Sequence, residues 1–589
     1  MAVSSTYVLN VNADGSQHTD YPAGDKEENE VIVDPPTNVT ASNPTTSTVD
    51  ISWAYTGSGH TGFIVDQYRG GGPWTTVATL SATARFFQAT GLPGNTQVGH
   101  RVRAESGGIL SAWSQEAWLS TLGSQPGGEY AGLSPNRYVT ASATGGGSGS
   151  ESSPWHLEEA MLYATAGDVV GIKPGIYAGY DPRPGKDPYD PGDAEGYRLS
   201  PFWKPRGVGT ASNRIYFVAQ YPAATHDNQA LYTDLRSGSD GKDPNTGGTY
   251  YFPTSDGSHA SQFGWPVFGG GGGDGHYCTW VGIYSNEEEW NNKICEDAGN
   301  CTVRNVTGHE IYLCKIIGEA GRVHQDNNYS GVRCENAHDA KIQDNFIHGY
   351  GVNGNNNCAG ILNYSTTYGL WENNTITDCM FAVQMKGARS YDNWGSISYN
   401  RVDGCYHFLH LHSLRQLNPD GSLAPIRHNL VTNCNYMLYF TTSGGERYQN
   451  HLDVQHNTVD SDNDYRGDIF FASSVGTPRH SQWRNNILTN SNALTGSDSG
   501  VTDGTMEDWA DYDYNCFHNV PYASVPGSTT DWATWQSAGS DVNSVFADPK
   551  FIGGGDYRLQ GDSPCRGNGE GGTTIGCYVS GNEKIGVRA

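Results

Sequence analysis

The feature that most limits what this chain can fold into is a repeat in its second half. Seven short runs align: Lys315-Ile316-Ile317, Asn345-Phe346-Ile347, Asn374-Thr375-Ile376, Asn400-Arg401-Val402, Asn429-Leu430-Val431, Asn457-Thr458-Val459 and Asn486-Ile487-Leu488. Their successive spacings are 30, 29, 26, 29, 28 and 29 residues. A period in the twenties made of short strands and turns is that of a solenoid, in which each coil buries its apolar face only against its neighbours. The coils lack a sustained 3.6-residue period, which argues against helical repeats. Asn tolerates left-handed backbone at a tight bend, and stacked Asn side chains can hydrogen-bond from coil to coil. Each coil should add about 4.8 Å along the axis. Cys379, Cys405 and Cys434 each follow their coil's Asn by five residues, which predicts a column of sulfurs in the core.

Upstream the pattern changes. Residues 1–33 are polar and acidic (Asp25-Lys26-Glu27-Glu28-Asn29-Glu30) and have little to bury, so they read as a flexible leader or an arm that docks onto a larger particle. Residues 34–122 hold alternating strand-like runs at 49–53, 63–68, 75–80 and 98–104, separated by turn clusters, which predicts a small antiparallel sandwich. Residues 123–150 are a Gly/Ser-rich linker and entry segment. Ser153 as N-cap and Pro154 at the first helical position then predict a helix, with Leu157, Ala160, Met161 and Ala164 on one apolar face. Placed just before the strand at 168–173, it would cover the open end of a strand stack.

Both regions resemble known families. With Pro35-Pro36, Trp53, Gly91-Leu92-Pro93-Gly94-Asn95-Thr96, Arg101-Val102-Arg103-Ala104 and Ser111-Ala112-Trp113-Ser114, the first resembles a fibronectin type III domain. Val98 stands where that family's corner Tyr is expected. The second, over about residues 137–589, resembles the pectate-lyase-like right-handed parallel β-helix superfamily. The residues that carry this are Tyr138-Val139-Thr140, Gly167-Asp168-Val169-Val170, Lys173-Pro174-Gly175-Ile176-Tyr177, Gly209 to Ile215, Asp548-Pro549, Tyr557-Arg558-Leu559 and Ser563-Pro564-Cys565. The expected fold is therefore all-β: a right-handed parallel β-helix over 151–589, with its N-terminal capping helix, preceded by a small fibronectin-like β-sandwich.

A net charge of −27 argues against nucleic acid as a partner, and no apolar stretch is long enough to insert in a membrane. The same charge repels an acidic polysaccharide, unless cations or a local basic patch intervene. All twelve Cys lie between Cys278 and Cys577, without zinc-site spacing; Cys565 and Cys577 could pair across a terminal loop. Met1-Ala2-Val3-Ser4-Ser5-Thr6 shows no secretory signal, which suits a virion protein freed by lysis or a chain whose export signal was removed.

A parallel β-helix displays rows of outward side chains that match an extended sugar chain. The candidate patch is Lys386 and Arg389 on one coil, with His407, His410, His412 and Arg415 on the next. In Phe408-Leu409-His410-Leu411-His412, alternation puts Phe408 and both His on one face and the Leu on the other. Lys386 could serve as the base that removes a uronate C5 proton, with His410 or His412 as partner; ordinary surface residues are the alternative reading. Arg389, His407, Arg415 and Trp371 are the candidate substrate-binding residues, and Trp265, Trp280, Trp290 and Trp394 could likewise stack on sugar rings. The Lys386 layout loosely resembles the alginate-lyase and chondroitinase-B family, but the acidic pair before that Lys and the Arg after it are missing here. Asp460, Asp462, Asp464 and Asp468 could supply a hydrolytic carboxylate pair. The acids Asp503, Glu507, Asp508, Asp511 and Asp513 are the one place where calcium is conceivable, although the spacing is not that of an EF-hand loop.

Three readings follow. The first is a phage tail or receptor-binding protein that recognises, and in one version depolymerises, host surface polysaccharide. It would be a homotrimer, attached to the virion through residues 1–33. The second is a secreted bacterial polysaccharide lyase with an accessory fibronectin module. The third is a non-catalytic adhesin. The first two share an extracellular or virion-tail location.

Overall fold

The computed structural model describes residues 33–42, 48–69, 74–92, 97–120, 133–178, 203–225, 232–236, 252–253, 259–260, 268–271, 275–286, 300–318, 330–351, 358–386, 395–412, 424–441, 452–463, 468–471, 481–497, 510–525, 530–581 and 583–587. The docking arm expected over 1–33 lies outside these apart from Val33. The chain divides into two compact units, Met1–Leu122 and Gly123–Ala589.

The first unit is a β-sandwich. Thr37–Ser42, Val49–Ala54 and Phe86–Ala89 form one antiparallel sheet. Thr75–Ser81, Gly62–Arg69, Gln97–Ser106, Ile109–Leu110 and Ala117–Ser120 form the other. Alternation along Val49–Ala54 buries Val49, Ile51 and Trp53 against Phe63, Val65, Val102 and Ala104. Val98 is fully buried in the same core, so packing holds the corner.

Among the described residues, the second unit is a parallel β-solenoid of three long sheets, with two short antiparallel pairs besides. Sheet I has twelve strands, from Arg137–Val139 to Ala510–Asp513. Sheet II also has twelve, from Gly175–Ala178 to Val545–Phe546. Sheet III has ten, from Phe268–Gly270 to Tyr522–Val525. Arg137–Val139 already pairs with Val169–Ile172, so the stack begins within the segment read as linker and β-helix entry.

The repeating Asn sits between sheets I and II, and the expected column is present. The Asn374 side chain accepts from the Asn345 backbone N–H (3.1 Å) and amide (3.0 Å), and its own amide donates to the Ile342 carbonyl (2.8 Å). The pattern recurs through Asn400, Asn429, Asn457, Asn486 and Asn515. These Asn are not the left-handed residues. That conformation falls one position earlier, at Asp344, Asn373, Tyr399, His428, His456 and Asn485 (φ 54–58°), which frees the ladder Asn to point into the core. Cys379, Cys405 and Cys434 are buried as expected, with the Cys379 N–H donating to the Cys405 sulfur at 3.4 Å.

The capping helix is Leu157–Tyr163 with His156 as N-cap, three residues later than expected. Ser153 is instead held in a turn with Ser150, and Trp155 pairs with Val139, so the chain stays extended to that point. The Glu159 carboxylate accepts from the His156 N–H (2.9 Å). Leu157, Ala160, Met161 and Ala164 are buried with Val170 and Ile172 at the start of the solenoid core.

Candidate functional site

Strands Phe381–Lys386 and His407–His412 are adjacent in sheet III, with Gln384 opposite His410 and Lys386 opposite His412. The expected neighbours Lys386, His410 and His412 are thus brought together. Leu409 and Leu411 point into the core as alternation required. Phe408 joins them there, because the strand departs from strict alternation at its start. His410 faces outward but is covered, at 4% exposure. The Gln384 amide donates to its Nδ1 (2.9 Å), so the ring is neutral and its Nε2 proton goes to Thr441 Oγ1 (2.6 Å). Burial, and then the charges of His407, His412 and Lys386, keep the His410 pKa well below the ordinary range. Burial followed by the Lys386 charge also lowers that of His412.

His407 is 2% exposed and lies in a ring stack with Phe381 (4.9 Å), Tyr436 (4.8 Å) and Tyr439 (4.3 Å). Desolvation pushes its pKa down to about 3. It is a packing element and does not present itself to a ligand. Trp371 is also corrected: it points inward, fully buried, in a sheet I column that runs Trp280, Ile311, Ile342, Trp371, Ile397. Trp280 belongs to the same column. Arg389, Arg415, Trp265, Trp290 and Trp394 lie outside the described residues.

The other acids have structural partners. Asp460 accepts from Thr489, Asn490 and the Tyr557 hydroxyl, and Asp468 is fully buried beside Ser461, so neither serves a solvent-facing catalytic pair. The Asp462 side chain and Asp464 are outside the described residues. Asp511 pairs with Arg484, and Asp513 accepts from Asn543; Asp503, Glu507 and Asp508 are not described. Among the described residues no group of three His, Cys, Asp or Glu could hold a metal, and no helix is long and apolar enough to cross a membrane. Cys565 lies in an apolar cluster with Cys516, not Cys577, whose N–H instead donates to Thr458.

The pairing also reveals a row that sequence reading missed. Glu335, Tyr364, Lys386, His412 and Thr441 occupy one register position on five consecutive strands. Arg333 flanks it: its guanidinium donates to Glu335 at 3.0 Å and lies 5.0 Å from the Tyr364 ring centre. Arg304 reaches Glu335 from the preceding strand at 3.4 Å, and Lys386 Nζ is 5.8 Å from the Tyr364 ring. All but Lys386 in the row are half-buried, so its edge is open to solvent. Among the described strands, sheet III carries Arg304, Arg333 and Lys386 against one acid, Glu335. The strands of sheets I and II each carry one more acid than Lys and Arg combined. In a chain of net charge −27, sheet III is the sheet whose described strands carry a cationic surplus.

No protein-family model matches the chain, and no curated protein does either. Solved structures match over 15% of it. Titin domains A168–A170 are 26% identical with a TM-score of 0.14, and this chain spans 32% of that one. The chicken CNTN1 FN1–FN3 domains are 17% identical over 31% of their length (TM-score 0.15). A Fn3-like protein from Clostridium thermocellum is 30% identical over 90% of its length (TM-score 0.13). These are distant likenesses to a small β-sandwich. The strand pairing described above defines both units.

Proposed function

We propose that the outer face of sheet III recognises a linear polysaccharide bearing carboxylates, and that the protein works at a host or environmental glycan as a tail-borne receptor-binding protein. The observation that carries this is the row Glu335–Tyr364–Lys386–His412–Thr441 with Arg304 and Arg333 beside it. Strands about 4.8 Å apart turn such a row into a regular series of contacts along the axis, which suits a polymer better than a compact ligand. Tyr364 offers a ring face for a sugar, and Arg333 and Lys386, buried at 7% and 9% exposure, place positive charge directly beneath the half-buried row for uronate groups. The local cationic surplus answers the repulsion that the whole chain would otherwise exert on an acidic polymer.

A second reading, depolymerisation by β-elimination, is favoured by the placement of Lys386 between Tyr364 and His412. There uncharged Lys386 would take the C5 proton as the C4–O4 bond breaks and the C4=C5 double bond forms, His412 would give the departing oxygen its proton, and a cation such as Arg333 would stabilise the charge that develops on the carboxylate. The test is incubation of the full chain with alginate, pectin and capsular polysaccharide. Binding without products supports recognition alone. New absorbance of unsaturated uronate supports elimination, and new reducing ends without it support hydrolysis. Failure to bind any acidic polymer overturns the reading. Light scattering separates the origins: a trimer fits a virion-borne protein and a monomer fits a secreted one.

A further inference from the structure

After its last coil the chain turns back and climbs the corner between sheets I and II. The Glu570 N–H donates to Asn485 Oδ1 (2.8 Å) and the Gly576 N–H to the Asn485 carbonyl (2.8 Å). One coil further up, the Cys577 N–H donates to Thr458 Oγ1 (3.0 Å), and on the next coil His428 Nδ1 donates to the Cys577 carbonyl (3.3 Å). The Gly586 N–H then reaches the Tyr399 carbonyl (2.8 Å) and the Val587 N–H reaches Thr375 Oγ1 (3.1 Å). Five successive coils are therefore tied by one strap, over about 19 Å of the axis. Glycine is needed at two of the contacts. A Cβ at Gly586 (φ 85°) would sit 2.6 Å from Thr375 Oγ1, and one at Gly576 (φ 99°) 2.5 Å from Ile487.

Beneath the strap, Tyr399, His428 and His456 stack in a column. The Tyr399 and His428 rings are 4.7 Å apart at 5°, and those of His428 and His456 are 5.2 Å apart at 4°. We propose that the strap is an acid-released clamp, in which the His428–His456 stack under residues 570–587 is the trigger. When both rings carry a proton, two parallel cations face each other at 5.2 Å beneath a covering backbone, and only opening relieves them.

The surrounding groups set the sign. Facing His428 are Tyr399, His456, the Cys577 carbonyl, Glu583 from the strap and Arg427 from its own coil. Facing His456 are His428, Arg427 and the backbone at Thr574 and Gly576. Arg427 is itself paired with Asp453. Of the strap's carboxylates, Glu570 pairs with Arg484 and Glu583 acts on His428, and burial outweighs it: the pKa of His428 falls and that of His456 drops to about 4, desolvation being the leading cause of both. The closed state therefore binds fewer protons than the open one, and closure weakens as pH falls from the ordinary 6.5 towards about 4. Through His456 alone, acidification from about pH 8 to about pH 5 raises the open population about 30-fold.

The test is amide hydrogen exchange on the full chain at the two pH values, with protection corrected for intrinsic rates. Protection of Gly576, Cys577, Gly586 and Val587 should fall at least 30-fold at pH 5, while that of the ladder amides Asn374 and Asn400 holds. The double substitution His428→Asn/His456→Asn should abolish the fall. Asn is compatible there because Asn373 and Asn485 occupy the same left-handed position on neighbouring coils. Strap protection that is unchanged between the two pH values, that falls in step with the ladder amides, or that falls equally in the double variant would overturn the clamp.

Discussion

Replacing Asn400 by Leu is the sharpest perturbation of the solenoid, because the side chains are similar in size and only hydrogen bonding is lost. The Asn400 amide donates to the Trp371 carbonyl (2.9 Å) and to Asn429 Oδ1 (3.0 Å). Its Oδ1 accepts from the Asn374 backbone N–H (2.9 Å) and from the Asn374 amide (3.1 Å). Asn429 Oδ1 keeps its bond from the Asn400 backbone N–H, and the Asn374 amide keeps the Ile342 carbonyl. What Leu orphans is the Asn374 N–H and one proton of its amide, both at buried positions, while the Trp371 carbonyl keeps its place in the parallel ladder with Ser396–Ser398. At roughly 1–3 kcal/mol for each buried unsatisfied group, the loss should be about 4 kcal/mol. Every Cys of the chain lies beyond residue 277, so thiol labelling during urea unfolding reports on the solenoid without the sandwich. A pulse of alkylating reagent at each urea concentration, read at Cys379, Cys405 and Cys434, gives the midpoint directly. A loss below about 1 kcal/mol would show that the column is not a cooperative hydrogen-bonded element, and would refute the reasoning.

Other outcomes follow from the same geometry. Asp468 is fully buried, and desolvation raises its pKa to about 7, so its own contribution to stability should decline as pH rises from about 4 to about 7, against the opposite contribution of the buried histidines; relative to wild type, Asp468→Asn should gain on the order of 4 kcal/mol at pH 8 and nothing near pH 4, and a gain independent of pH would contradict this. Trp371→Ala should cost about 3–5 kcal/mol by opening a core cavity, yet leave glycan affinity within twofold, which calorimetry in parallel with urea unfolding can check. The eleven described cysteines are all buried, and burial pushes the thiols of Cys314, Cys334 and Cys577 up to about 12, so peptide mapping after native alkylation should find them unmodified. Rapid native labelling at Cys405 would mean that the column is not core.

What could be read from the sequence and what could not have physical reasons. The Asn column was legible because a buried amide that must reach the next coil recurs at nearly constant spacing. The strand at 49–53 was legible because the sandwich core enforces strict alternation there, whereas 63–68 showed through its apolar Phe63 and Val65 despite the buried Asp66 and Gln67 beside an irregularity in the pairing. The left-handed position was missed because Tyr399 and His428 occupy it as readily as Asn373, so residue type does not mark it. The helix start was misplaced because Ser153 forms a turn of its own and His156 fills the cap position usually held by Ser or Asp. Lys386, His410 and His412 were found together because they lie on two neighbouring strands. Tyr364 and Glu335 were missed because the loops between sheets vary: the row's spacings are 29, 22, 26 and 29, and the Asn alignment does not carry that register across. Trp371 was misassigned because an exposed aromatic and a core aromatic look alike in a chain rich in both.

The account rests on sheet III as the glycan face, and the most direct measurement is a binding titration of the full chain with a polyuronate. Wild type should be compared with Arg333→Ala, Lys386→Ala and, as a control on sheet I, Arg427→Ala. The first two should lose about tenfold or more in affinity, the scale of a desolvated charge-assisted contact of about 1.5–3 kcal/mol, while the control stays near wild type. Equal affinities for all four proteins, or a loss confined to Arg427→Ala, would contradict the assignment.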